Sequence, residues 1–102
     1  MARKSFVQRM SEKVGEFIYT ADQIDRMLTE SGLVQCSAKR IRTFAERNGM
    51  LVKPEDYGLN GGLWDAKYWI RRSDIKRVID GMGISVTEQD LQASAEKLGY
   101  PF

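Results

Sequence analysis

The chain has 102 residues, enough for one domain with a modest core that buries about 60–68% of the unfolded surface. It contains no His, a single Cys and a near-balanced formal charge of +2. Those counts exclude a His/Cys zinc site, a Ser-His-Asp or Cys-His nucleophile and an intramolecular disulfide, and no P-loop, GxGxxG or paired carboxylates occur, so a non-enzyme without cofactor or metal is expected.

The first predicted element is a helix over residues 4–15, where Phe6, Val7, Met10 and Val14 share one face and Gly15 weakens the end. Met1-Ala2-Arg3-Lys4 leads into no long apolar run, so neither a signal peptide nor a membrane span is expected, and a reduced, cytoplasmic protein is the default. Residues 16–19 read as a short strand leading inward, or as the tail of that helix. Thr20-Ala21-Asp22-Gln23 has the Thr-x-x-Gln form of a capping box, so Thr20 should start the next helix. Ile24, Met27 and Leu28 then face the core, and Gly32 ends the helix. Leu33-Val34-Gln35-Cys36 is the turn, with Cys36 a small buried or turn residue rather than a reactive thiol.

Ser37 caps the following helix, residues 37–48, which should bury Ala38, Ile41, Phe44 and Ala45. Lys39, Arg40, Thr43 and Arg47 are left pointing outward, flanked by Arg42 and Glu46. Arg can bond guanine N7 and O6 together, and Thr can touch a thymine methyl or a phosphate. The helix N-terminus adds unpaired backbone donors and a partial positive charge. This is the residue set of a recognition helix.

A strand at Met50-Leu51-Val52 should come next, then Lys53-Pro54, and a loop whose tip is Asn60-Gly61-Gly62. The returning strand spans residues 64–72 and completes a wing. Alternation puts Trp64, Ala66, Tyr68 and Ile70 on one face, and Asp65, Lys67, Trp69 and Arg71 on the other. Trp69 is the anomaly, a large aromatic on the polar face. It covers the N-terminal helix, marks a local bulge, forms an interface, or stacks near a nucleic-acid backbone. Ser73 reads as the capping residue of another helix, Thr87 as the N-cap of a last one with Leu91 and Leu98 inward and Gly99 at its end.

Charge is unevenly spread along this order. Residues 39–77 hold ten Lys/Arg against five acids, a net of +5, and the remainder carries six against nine, or −3. Positive charge is thus concentrated on the helix and wing, as phosphate binding requires. Lys39, Arg40, Arg42, Thr43, Arg47, Lys67, Arg71 and Arg72 are the candidate DNA-binding residues.

Three segments together resemble a known family: Thr20-Ala21-Asp22-Gln23-Ile24; Ser37-Ala38-Lys39-Arg40-Ile41-Arg42-Thr43-Phe44-Ala45-Glu46-Arg47-Asn48-Gly49-Met50-Leu51; and Tyr68-Trp69-Ile70-Arg71-Arg72-Ser73-Asp74-Ile75. The succession is similar to the winged-helix domain shared by MerR-type regulators and phage excisionases. There a Ser-x-x-Thr/Arg-Ile/Leu-Arg start to the recognition helix is followed by Gly-Leu and a wing ending in Tyr-x-Ile-x-x-x-Asp-Ile/Leu. Residues 74–88 also resemble the helix and Gly-x-Ser turn that follow the wing in MerR-type proteins, so the likeness covers roughly residues 18–90. The segment 29–36 is longer than the family's tight turn and the wing loop 53–63 is long. After Thr87 the pattern holds one more helix, not the dimerising coiled coil and effector domain of full MerR-type regulators.

The resemblance implies a winged helix-turn-helix fold, mostly α with a small β-hairpin wing and four to five helices. A single domain over 1–102 is expected, with a helical extension (1–17), the helix-turn-helix plus wing (18–84) and a C-terminal helix (85–102). The function implied is reading double-stranded DNA, as a transcriptional regulator or an excisionase-type architectural factor of phage or mobile-element kind. Helix 37–48 would lie in the major groove and wing 51–72 on the backbone. Two alternatives stay open: a winged-helix module that binds protein, such as a phage-encoded inhibitor, and an RNA-binding protein; beside double-stranded DNA, a homodimer or a protein partner is also open.

Overall fold

The computed structural model describes residues 6–30, 32, 37–58 and 69–102. Helix α1 (Phe6–Val14) leads to strand β1 (Ile18–Thr20), α2 (Ala21–Glu30) and α3 (Ala38–Arg47). Strand β2 (Leu51–Val52), a 3-10 turn (Pro54–Tyr57) and β3 (Trp69–Arg71) follow, then α4 (Arg72–Gly81) and α5 (Glu88–Leu98). The three strands form one antiparallel sheet in the order β1-β3-β2, so β3 is central. Among the described residues, five α-helices with a small sheet make a mostly α protein, compatible with a helix-turn-helix plus wing fold.

Local chemistry explains the helix starts. The Thr20 N–H donates to Gln23 Oε1 at 2.9 Å and the Gln23 N–H donates to Thr20 Oγ1 at 3.2 Å, the reciprocal capping box expected for α2. Ser37 Oγ accepts from the Arg40 N–H at 3.2 Å and starts α3. Thr87 caps α5 through a second box closed by Asp90. The start of α4 differs from the sequence expectation. Its N-cap is Arg71, which makes no side-chain cap bond, and Ser73 lies inside the first turn. Glu16 takes the capping role instead, its carboxylate accepting the Ser73 N–H at 2.7 Å and the Ser73 hydroxyl at 3.0 Å. A carboxylate here satisfies one of the free amide donors of the first turn and sits at the positive end of the helix dipole.

The main core lies between the helices and one face of the sheet. Ile24, Met27 and Leu28 of α2, Ile41 and Ala45 of α3, and Ile75, Val78 and Ile79 of α4 pack there with Leu91 and Ala95 of α5. Tyr19 and Ile70, directly paired in the β1–β3 register, supply the sheet side. Phe44, expected in this core, is only half-buried at its edge.

The opposite sheet face decides among the readings of Trp69 in favour of cover by the N-terminal helix. Trp69 does point away from Ile70, as alternation requires, but that face is not solvated. Trp69, only 5% exposed, packs with Met10, Ile18 and Val52, with Val14 and Tyr57 alongside. Helix α1 therefore closes a second small core over the sheet. Residues 59–68 lie outside the described residues, and with them the expected positions of Trp64, Ala66, Lys67, Tyr68 and the Asn60-Gly61-Gly62 tip; the same holds for residues 33–36, including Cys36.

Candidate nucleic-acid interface

The candidate surface is built on α3. Its N-terminus is fixed by Ser37 and its C-terminus by Asn48, whose Nδ2 donates to the Phe44 carbonyl at 2.8 Å. Gly49 then adopts a left-handed φ of +67° and turns the chain, so that the Met50 N–H reaches the Ala45 carbonyl at 2.8 Å. With Ile41 and Ala45 buried against α2 and α4, the outer stripe is set by the 3.6-residue period.

Lys39, Arg40, Thr43 and Arg47 come together as expected, lining one open concavity of about 390 Å³ with Phe44 and Met82. Lys39, Arg40 and Arg47 are exposed, and none is in an ion pair with a described residue. Among the described residues no acidic side chain lines the concavity. Two of these cations, Lys39 and Arg40, sit in the first turn of α3, which has no acidic residue. Cations at that end oppose the helix dipole, at a typical cost of about 0.3–1 kcal/mol each. They would be relieved by an anion, which the dipole and the side chains attract together.

The remaining candidates are placed differently. Arg42 is half-buried and does not line the concavity. Lys67 falls outside the described residues. Arg71 and Arg72 do not line it either, and both are engaged within the fold. Arg71 donates to Tyr57 Oη at 2.7 Å and to Asp74 at 3.3 Å, and its pKa is raised chiefly by the Tyr57 bond. Asp74, itself buried, also accepts from Arg77 at 3.4 Å. Arg72 donates through Nε to the Phe102 carbonyl at 2.6 Å and stacks 4.2 Å over the Phe102 ring. These two arginines tie the wing base to α4 and to the last residues of the chain.

Two lining residues were missed by sequence reasoning: Phe44, which was expected in the core, and Met82. Met82 follows Gly81 at the end of α4, where a Cβ on Gly81 would stand 2.3 Å from Phe44 Cζ. The absent side chain lets α4 approach α3 closely enough for Met82 and Phe44 to share one floor. Among the described residues no group of acids or cysteines is placed to hold a metal ion, and no helix is long and apolar enough to cross a membrane. No protein-family model, curated protein or solved structure matches the chain.

Proposed function

We propose that the protein reads double-stranded DNA, with α3 entering the major groove and the wing lying along the backbone. One observation carries the reading: three exposed cations and Thr43 converge on one open surface of a capped helix, with no ion pair to them and no acid beside them among the described residues. Arg40 and Arg47 have the chemistry to contact base edges, while Lys39 and the α3 N-terminus suit phosphates. The wing's contribution falls to Lys67, since Arg71 and Arg72 are occupied within the fold. A role as a regulator or excisionase-type architectural factor, akin to the small winged-helix proteins that the motifs resemble, is part of the same proposal.

Polarisation measurements on a duplex selected from a random library test it. Arg40→Ala and Arg47→Ala should each weaken binding by about 1–3 kcal/mol and relax sequence preference at one position. Lys39→Ala should weaken all duplexes alike. A double Arg40/Arg47 variant that binds like wild type would overturn the assignment of α3. An RNA duplex bound as tightly as DNA would overturn the choice of polymer.

A further inference from the structure

The basic surface of α3 has an apolar floor, which phosphate binding does not require. Arg40, Thr43, Phe44 and Arg47 stand at i, i+3, i+4 and i+7 and so form one stripe, with Phe44 between the two arginines. Its ring is held at the tip by the close approach of Gly81, and the flexible, polarisable Met82 lies beside it in the same concavity. In the major groove the one apolar group that base pairs present is the C5 methyl of thymine. Seven residues of helix span about 10.5 Å, and base pairs rise about 3.4 Å each. The arginines thus bracket roughly three base-pair steps, with the apolar floor in the middle.

We propose that Phe44 and Met82 form a thymine-methyl subsite, so that the preferred duplex carries one or two thymines between the base pairs contacted by Arg40 and Arg47. The inference rests on the DNA-reading proposal above and names the chemistry of its central positions. A concavity of about 390 Å³ is roomy for one methyl group and admits the groove edges of neighbouring base pairs.

The test uses the full chain and a duplex selected from a random library. Each thymine is replaced in turn by deoxyuridine, which removes only the methyl. At one or two central positions the substitution should weaken binding about fourfold, the equivalent of roughly 0.8 kcal/mol for one buried methyl. Replacing a central thymine·adenine pair by 5-methylcytosine·guanine should retain more affinity than cytosine·guanine. Met82→Gln and Met82→Ser should each shrink the deoxyuridine penalty towards one while leaving the salt dependence unchanged, and their melting temperatures report whether the fold persists. If the protein binds duplex in a salt-sensitive way but no deoxyuridine substitution matters, the subsite is wrong and DNA reading stands. If the penalty survives in both folded Met82 variants, Met82 takes no part in reading the methyl and the two-residue subsite is wrong. If no salt-sensitive duplex binding occurs at all, the underlying reading fails, and the subsite with it.

Discussion

Replacing Gly81 by Ala probes the contact that positions α3. Gly81 ends α4 with an ordinary negative φ, so helix propensity alone would favour Ala by about 0.5–1 kcal/mol. Packing opposes this. The new Cβ would stand 2.3 Å from Phe44 Cζ and 2.9 Å from Cε1, distances no carbon pair tolerates. The ring cannot bend, so it must leave its rotamer at about 0.5–1.5 kcal/mol, or α3 must shift from α4 at about 1–3 kcal/mol. Set against the helix gain, ring displacement alone leaves the balance within about 1 kcal/mol of zero, and a shift of α3 makes it a net loss of up to about 2.5 kcal/mol. In a domain of this size each kcal/mol lost lowers Tm by roughly 4–8 °C. Phe44→Ala should cost about 1–3 kcal/mol, below the full core value, because the ring is only half-buried. Urea midpoints for both single variants and the double variant close the cycle. In the Phe44→Ala background, Gly81→Ala should become neutral or stabilising, a coupling of about 1 kcal/mol or more. An alanine that stabilises equally in both backgrounds would show that the two helices do not meet there.

Glu16→Gln and Glu16→Ala should both destabilise, by about 0.5–2 kcal/mol for alanine and less for glutamine, because the carboxylate both accepts the Ser73 donors and faces the α4 dipole; unchanged urea midpoints would remove the long-range cap. Tyr19 is buried, with its hydroxyl donating to the Pro101 carbonyl, and burial pushes its pKa up to about 12 against the opposing influence of Arg72. An unfolded tyrosine loses its proton near pH 10, so this contribution to stability is complete below pH 10 and is lost as pH rises towards 12. Tyr19→Phe should flatten that alkaline loss relative to wild type, and parallel pH profiles of the two proteins would contradict it.

Features governed by neighbours in sequence were legible in it. Thr20 and Ser37 cap where short-range hydrogen bonding says they should, and Thr87 does likewise. The outward set Lys39, Arg40, Thr43 and Arg47 follows from helical period alone. Features that depend on distant chain were not. Alternation placed Trp69 opposite Ile70 correctly but could not choose among the covers for its face, and α1 supplies that cover through Met10. Ser73 looks like a cap, yet its partner Glu16 lies 57 residues away. Arg71 and Arg72 read as free cations because Tyr57 and Phe102, which engage them, lie 14 and 30 residues away; Asp74, three residues from Arg71, was the one local sign. Met82 carries no local signal either, since its place on the α3 surface depends on the close α3–α4 approach at Gly81.

The measurement that bears most directly on the proposed function is the affinity of the full chain for a selected duplex across a series of salt concentrations. Lys39, the α3 N-terminus and the wing should together neutralise at least about two phosphates, so log K should fall against log salt with a slope of about −1.8 or steeper. Lys39→Ala should make that slope shallower by about 0.9. A duplex affinity that does not change with salt, or no duplex binding at low salt, would contradict the reading of α3 as a DNA-binding helix.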